Sequence, residues 1–154
     1  MKRAGDTILR VGFMTALFIA APLLPKKERA RVLLVNDANE ILLVRGRFGL
    51  DEWELPGGGT KRGETFAQAA TRELREELGI ELTQDQLRAL GSYKTTHRIA
   101  PLRLRAFAAR IAEPQPRVSS WELVEARWWP LADLPEDVHN TFHYAVESWK
   151  KTIY

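Results

Sequence analysis

From Arg31 onward the chain reads "RVLLVND" and then "EILLVRG", two runs rich in Val, Leu and Ile parted by the turn-forming cluster "NDANE". Such runs, separated by Asn and Asp, predict a pair of strands. "LRLRAFAAR", from Leu102, alternates apolar and basic residues, the period of a half-buried strand with Arg103 and Arg105 on its open face. "EARWWPL" predicts a further short strand ended by Pro130, and "EPQPR" a loop. The period then lengthens. "EDVHNTFHYAVESWKK" has helical spacing, with Val138, Phe142 or Tyr144, Ala145 and Trp149 on its apolar side.

Another helix is predicted over 65–78. Thr65 and Gln68 make a capping box, Gly79 supplies a stop, and Phe66, Ala70, Leu74 and Leu78 recur every fourth residue as a buried stripe. Glu73, Glu76 and Glu77 fall on a neighbouring face, at the i, i+3 and i+4 spacing that makes helical side chains adjacent. Carboxylates that close repel one another. A solvated face neutralised by Arg72 and Arg75 would account for them, but not for the run before them: Gly57, Gly58 and Gly59, then Gly63 and Glu64. Such a loop gives up chain entropy for backbone shapes that side chains forbid, and so lets a carbonyl or an amide approach a ligand. Clustered carboxylates beside it suit a hard divalent cation with oxygen ligands, and Mg²⁺ of this kind bridges protein carboxylate and substrate phosphate.

The pattern before Pro25 is different. "VGFMTALFIAAPLLP", Val11 to Pro25, carries no charge and is bracketed by Lys2, Arg3 and Arg10 before it and Lys26, Lys27, Arg29 and Arg31 after it. It falls short of the ~20 apolar residues that cross a bilayer as a helix, and Pro22 and Pro25 stop it. A peripheral membrane helix, whose basic flanks attract anionic lipid, is one reading. A helix packed on its own domain or on a second copy is the other. A cleaved secretory signal fits less well, because "FIAAPLL" is a poor small-x-small site and Lys-Lys follows. The expected organisation is an N-terminal apolar helical segment with basic flanks over 1–27 and one domain over 28–154. Peripheral membrane contact or a homodimer would form through residues 8–24.

Length and charge narrow the classes. At 154 residues the chain is long enough for one domain with a real core. No cysteine is present, which excludes disulfides, thiolate metal sites and cysteine nucleophiles. A net charge of +3 lacks the basic excess of a dedicated nucleic-acid coat.

Gly58, five residues, Glu64, seven residues, then Arg72-Glu73-Leu74-Arg75-Glu76-Glu77-Leu78-Gly79-Ile80 resembles the Nudix box, G-x5-E-x7-R-E-U-x-E-E-x-G-U with U aliphatic, at every fixed position. The preceding "WELPGG" is similar to the approach to that box. The resemblance extends over Arg31 to Trp149. It implies an α/β/α sandwich with a mixed sheet, and Mg²⁺- or Mn²⁺-dependent hydrolysis of a nucleoside diphosphate linked to another group. It also implies roles: Glu73, Glu76 and Glu77 as metal ligands with the Gly57 carbonyl a further one, Arg72 orienting Glu73, and Glu64 supporting the loop or binding metal through water. Metal ions neutralise a diphosphate and lower the pKa of a bound water. A carboxylate must still take the proton: Glu76 is the candidate inside the box and the one favoured, with Glu122 and Glu125 outside it and read as ordinary exposed carboxylates.

Arg45, Arg47 and Lys61 are candidates to reach phosphates. Trp53, Tyr93 and Trp128 or Trp129 are candidates to stack on a base, although core packing is the expected fate of at least two of them. The proline and the tyrosine that mark ADP-ribose and dinucleoside polyphosphate hydrolases at a fixed distance after the box are absent, with Thr95, Thr96, His97 and Arg98 in that region. "LPGGG" in place of a glutamine-bearing version speaks against an RNA 5′-end pyrophosphohydrolase. Nucleoside triphosphates or nucleotide sugars remain, as a nucleotide-derived small molecule handled in the cytoplasm or at a membrane periphery, with no stable nucleic-acid complex. His139 and His143, with Glu147 one turn on, have metal-ligand spacing but read first as a surface pair. Two other classes are a non-catalytic nucleotide sensor, which a lost box carboxylate would favour, and a membrane-peripheral adaptor. No box carboxylate is lost.

Overall fold

The structure, a computed structural model, describes residues 27–48, 51–97, 100–112 and 116–153. The apolar segment before Pro25, and with it the membrane or dimer contact expected through residues 8–24, lies outside the described residues. β1 (Lys27–Val35) and β2 (Glu40–Gly46) are the expected pair, meeting antiparallel at Val35 and Ile41. Asn36 holds their turn by accepting from the Glu40 amide at 2.8 Å, and Asn39 takes a φ of 57°, which Asn tolerates better than most residues.

Both strands are apolar at successive positions because both of their faces are covered. Ala30, Val32, Leu34, Leu42 and Val44 pack with helix α1 (Phe66–Leu78) on one side; Leu33, Val35, Ile41 and Leu43 pack with helix α2 (Asn140–Ile153) on the other. That layering is the expected α/β/α sandwich. β5 (Ala100–Arg110) runs parallel to β1, from Lys27 opposite Leu102 to Val35 opposite Arg110, and β4 (Arg88–His97) lies antiparallel beyond it. β2 pairs antiparallel with β3 (Trp53–Glu54) and, along its whole length, with β6 (Leu123–Pro130). The sheet is therefore mixed.

Helix α1 starts and stops as its sequence predicts. The Thr65 hydroxyl accepts from the Gln68 amide at 3.2 Å, the Gln68 side chain accepts from the Thr65 amide at 2.8 Å, and Gly79 closes the helix with a φ of 66°. Helix α2 begins later than its spacing suggests, because His139 accepts from the Thr141 amide at 3.3 Å and satisfies one of the first free amides of the helix. Phe142, Ala145 and Val146 are buried on its inner face, whereas Tyr144 stays exposed and lies against Tyr93 with ring centroids 4.0 Å apart. Among the described residues no helix is long and apolar enough to cross a membrane.

Candidate active site

The glycine run is laid along the edge of β1 that β5 does not occupy. The amides of Val32 and Ala30 donate to the carbonyls of Pro56 at 3.0 Å and Gly58 at 2.9 Å, and the Thr60 amide donates to the Glu28 carbonyl at 3.0 Å. Gly57 takes a φ of 126°, and a Cβ there would stand 2.4 Å from the Ala30 carbonyl oxygen. At Gly58 a Cβ would stand 2.5 Å from the Glu73 carboxylate. One glycine permits the backbone shape, and the next admits the acid of α1 to the loop.

Arg72 organises the exposed flank of that helix. Its Nε and Nη2 donate to the two oxygens of Glu64 at 2.8 and 2.9 Å, its Nη1 donates to Glu73 at 2.8 Å and to Glu76 at 2.9 Å, and Nη2 also reaches the Gly59 carbonyl at 2.8 Å. The bidentate bond from Arg72 holds the Glu64 carboxyl down at about 2. Burial pushes the Glu76 carboxyl up, but Arg72 and Lys61 outweigh it and leave that group below its ordinary value. Lys61 stands 3.5 Å from Glu76 in the open.

Glu77 lives in a different medium. It is 8% exposed and accepts from the Gly57 amide at 3.0 Å, while Arg31, also buried, donates to the Gly57 carbonyl and pairs with Glu54 at 2.6 Å. Burial pushes the Glu77 carboxyl up to about 7, the charges of Glu73 and Glu122 adding to it, against Arg31 and the Gly57 amide. Burial also lowers the Arg29 guanidinium, with Arg31 beside it.

These groups open onto one cleft of about 520 Å³. Glu54, Glu73, Glu77 and Glu122 line it together with Arg29, Arg31 and the glycine backbone, and Phe48 and Trp121 stand at the same cleft. The loop that delivers Trp121 and Glu122 is tied at both ends. The amides of Arg117 and Ser119 donate to the carbonyls of Leu78 at 3.2 Å and Glu77 at 2.9 Å, and the Ser119 hydroxyl donates to Glu76 O at 2.8 Å, which satisfies carbonyls that the end of α1 leaves free. On the other side the Arg47 amide donates to the Glu122 carbonyl at 2.6 Å, and its Nε donates to the Trp121 carbonyl at 2.8 Å.

Of the residues singled out by sequence, Glu73, Glu77 and Gly57 come together in the cleft, with Arg72 and Glu64 immediately behind. Glu76 and Lys61 pair on the flank. Arg47 holds a loop rather than pointing its charge into the cleft. Arg45 and Trp53 are not brought to the cleft. Val44 and Glu54 line it, so the next residue on β2 and the previous one on β3 point to the other face of the sheet. There Trp53, 3% exposed, packs edge-on to Trp129 at 5.4 Å, and Arg45 lies over Trp53 while pairing with Asp137 at 2.9 Å. Tyr93 donates to the Thr141 carbonyl at 3.1 Å, and Trp128 packs on the core beneath α1. Glu125 stands opposite Arg45 in the β2–β6 register and shares its face. His139 caps α2, and His143 lies edge-on to Phe142 at 5.6 Å.

Sequence reading missed Glu54, Arg29, Arg31, Phe48 and Trp121 as cleft residues. Two-residue alternation beside a buried Trp53 would have found Glu54. A lone tryptophan in the polar run "RVSSWE" was the signal for Trp121.

The pattern of the NUDIX domain matches residues 25–149. The chain belongs to the NUDIX family. It is similar to an RNA pyrophosphohydrolase of Psychrobacter cryohalolentis, 29% identical over 139 residues that cover 75% of this chain and 79% of that one. It is also similar to an RNA pyrophosphohydrolase of Legionella pneumophila, 46% identical over 50 residues, where the match spans 32% of this chain and 28% of its relative. A MutT NUDIX hydrolase from Burkholderia pseudomallei superposes with a TM-score of 0.72 at 25% identity, over 81% of this chain and 98% of that one. This Nudix chain is thus an enzyme of the pyrophosphohydrolase type, in the fold its box implies.

Among the described residues no three carboxylate or imidazole groups gather at metal-binding distances. Glu73 and Glu76 are drawn to Arg72, Glu77 to the Gly57 amide, and the Gly57 carbonyl to Arg31. The donor chemistry nonetheless fits a hard divalent ion, as the family generally uses. Four carboxylates share one cleft, and the burial that raises the Glu77 carboxyl, with Glu73 and Glu122 adding to it, disfavours a bare anion there in a way that a bound cation would relieve.

Proposed function

We propose that this Nudix enzyme hydrolyses a diphosphate bond in a nucleotide derivative, with Mg²⁺ or Mn²⁺ held by Glu73, Glu77 and the Gly57 carbonyl, and by Glu76 once it is released from Arg72. The observation that carries the reading is the single cleft in which Glu54, Glu73, Glu77 and Glu122 face Arg29 and Arg31. When bound, such an ion neutralises phosphate charge and acidifies a water. The chain's own residues do the rest. Arg29 and Arg31 face the phosphates, Arg72 with Glu64 fixes the height of Glu73 on its helix, and the glycine loop keeps its amide on Glu77. Glu122 is the proton acceptor that this geometry favours over Glu76, because Glu76 is bound by two cations outside the cleft lining and held below its ordinary value. Glu122 is exposed, as its sequence context suggests, but it lines the cleft, whereas Glu125, also exposed, does not.

For the substrate, nucleoside triphosphates and nucleotide sugars stay first. The relatives named RNA pyrophosphohydrolase add the 5′ end of RNA, against which the sequence "LPGGG" in place of a glutamine-bearing version speaks. The test is a turnover screen with Mg²⁺ and with Mn²⁺ over nucleoside triphosphates, nucleotide sugars, dinucleoside polyphosphates and a 5′-triphosphate oligoribonucleotide, read by chromatographic separation of substrates and products, because cleavage within these anhydrides yields pyrophosphate, sugar phosphate or nucleotides rather than orthophosphate. Turnover of one class is expected, and a folded enzyme that cleaves none overturns the proposal.

A further inference from the structure

Trp121 is 68% exposed, the most open large apolar side chain among the described residues. A tryptophan left in water forgoes the packing that four other aromatic residues obtain: Trp53 and Trp129 are packed edge-on against each other, Trp128 lies on the core beneath α1, and Tyr93 is bonded to Thr141. Yet Trp121 is not a loose surface group. Its ring stands on Phe48 edge to face, centroids 5.2 Å apart and planes at 71°, an arrangement the aromatic quadrupole favours. Its own carbonyl is held by Arg47, and the next residue along, Glu122, turns into the carboxylate-lined cleft. An oriented π face therefore sits at the same cleft as the groups proposed to receive the phosphates.

We propose that Trp121, braced by Phe48, is the stacking platform for the nucleobase of the substrate. This rests on the reading of the cleft as a nucleotide site. A ligand anionic at one end and planar at the other fits the cleft: its phosphates meet Arg29 and Arg31, and its base covers the open face of Trp121. Stacking uses area and accepts any base, so purines are held more tightly than pyrimidines. Among the described residues that line the cleft none is Asn, Gln, Ser or Thr, so stacking rather than amide or hydroxyl readout carries the recognition.

The experiment uses AMP, UMP and ribose 5-phosphate, titrated calorimetrically into the full-length protein with Mg²⁺. None of the three carries an anhydride bond, so binding is read without turnover. The wild-type protein should bind AMP more tightly than UMP, and UMP more tightly than ribose 5-phosphate. Trp121→Ala should weaken AMP about tenfold or more and leave ribose 5-phosphate within about twofold, and Trp121→Phe should retain most of the AMP affinity. Because the side chain is exposed, neither substitution opens the core. The platform is overturned if Trp121→Ala binds AMP like wild type, if it loses both ligands equally, or if wild type holds AMP no better than ribose 5-phosphate. An empty hydrolysis screen beside the expected binding pattern would remove the proposed reaction and keep the platform. Turnover of a nucleotide with unchanged AMP binding by Trp121→Ala would do the opposite.

Discussion

Glu122 and Glu125 differ by three positions in sequence and by the whole thickness of the sheet in space, so substitution at the two should separate cleanly. Glu122→Gln is expected to lower kcat at least about a hundredfold, the usual range for a lost general base, and Glu125→Gln to stay within about threefold, both read by steady-state kinetics on the compound the screen identifies. Equal losses would return the proton acceptor to the box. Glu64 makes a pH prediction. Its folded value of about 2 lies below the ordinary 4.5, so the stabilisation it gains from Arg72 is complete above the ordinary value and is lost as pH falls through 2. Glu64→Gln should therefore cost about 1–3 kcal/mol at pH 7 and much less near pH 2, measured by urea unfolding at both. A cost that stays constant across that range would mean that Glu64 acts by shape rather than by charge.

At the scale of elements, α1 was legible to its last residue because every local signal agreed: a capping box, a four-residue apolar stripe and a glycine stop. β1 and β2 were legible because strands buried on both faces have continuous apolar sequence. β3 and β4 were not. β3 is two residues long, and β4 is an edge strand whose "RALGSYKTTH" has a polar outward side that does not alternate cleanly, with a register shift between Ala89 and Gly91. Within the site, Glu73 and Glu77 could be named from their spacing, whereas Glu76, named with them, pairs on the flank with Arg72 and Lys61, and the cleft partners Glu54, Arg31 and Trp121 come from elements brought there by sheet pairing and loop docking, which no local pattern encodes. The glycine loop tests how tightly two elements must meet. Gly57→Ala would force a Cβ against the Ala30 carbonyl, so the loop must leave β1. Stability should fall by about 2 kcal/mol or more in thermal or urea unfolding, with hydrolysis falling at least about a hundredfold because the Gly57 amide withdraws from Glu77. Activity near wild type in that variant would show that the loop's path along β1 is dispensable.

On the scale of the whole molecule, the sheet separates two apolar layers: the cleft and the box helix belong to one, and α2 with the Trp53–Trp129 pair to the other. The proposed metal dependence would be a property of the assembled cleft, since its acids come from α1, β3 and the loop before β6 and repel one another as a group. Excess chelator should depress hydrolysis at least about a hundredfold, and Mg²⁺ or Mn²⁺ should restore it; full turnover in chelator would exclude the proposed chemistry.

The loop that carries Trp121 and Glu122 has a consequence for how this chain can change over evolutionary time. Three of its anchors, the amides of Arg117 and Ser119 on the end of α1 and the Glu122 carbonyl on the Arg47 amide, are main-chain groups that almost any sequence would keep. Its path is thus inherited independently of its side chains. Neighbouring positions on one such loop hold both the proposed recognition surface and the proposed proton acceptor. Substitutions confined to these few residues, or the exchange of the loop for another of equal length, can shift the preferred base while the box, the sheet and the acids proposed to bind metal stay as they are.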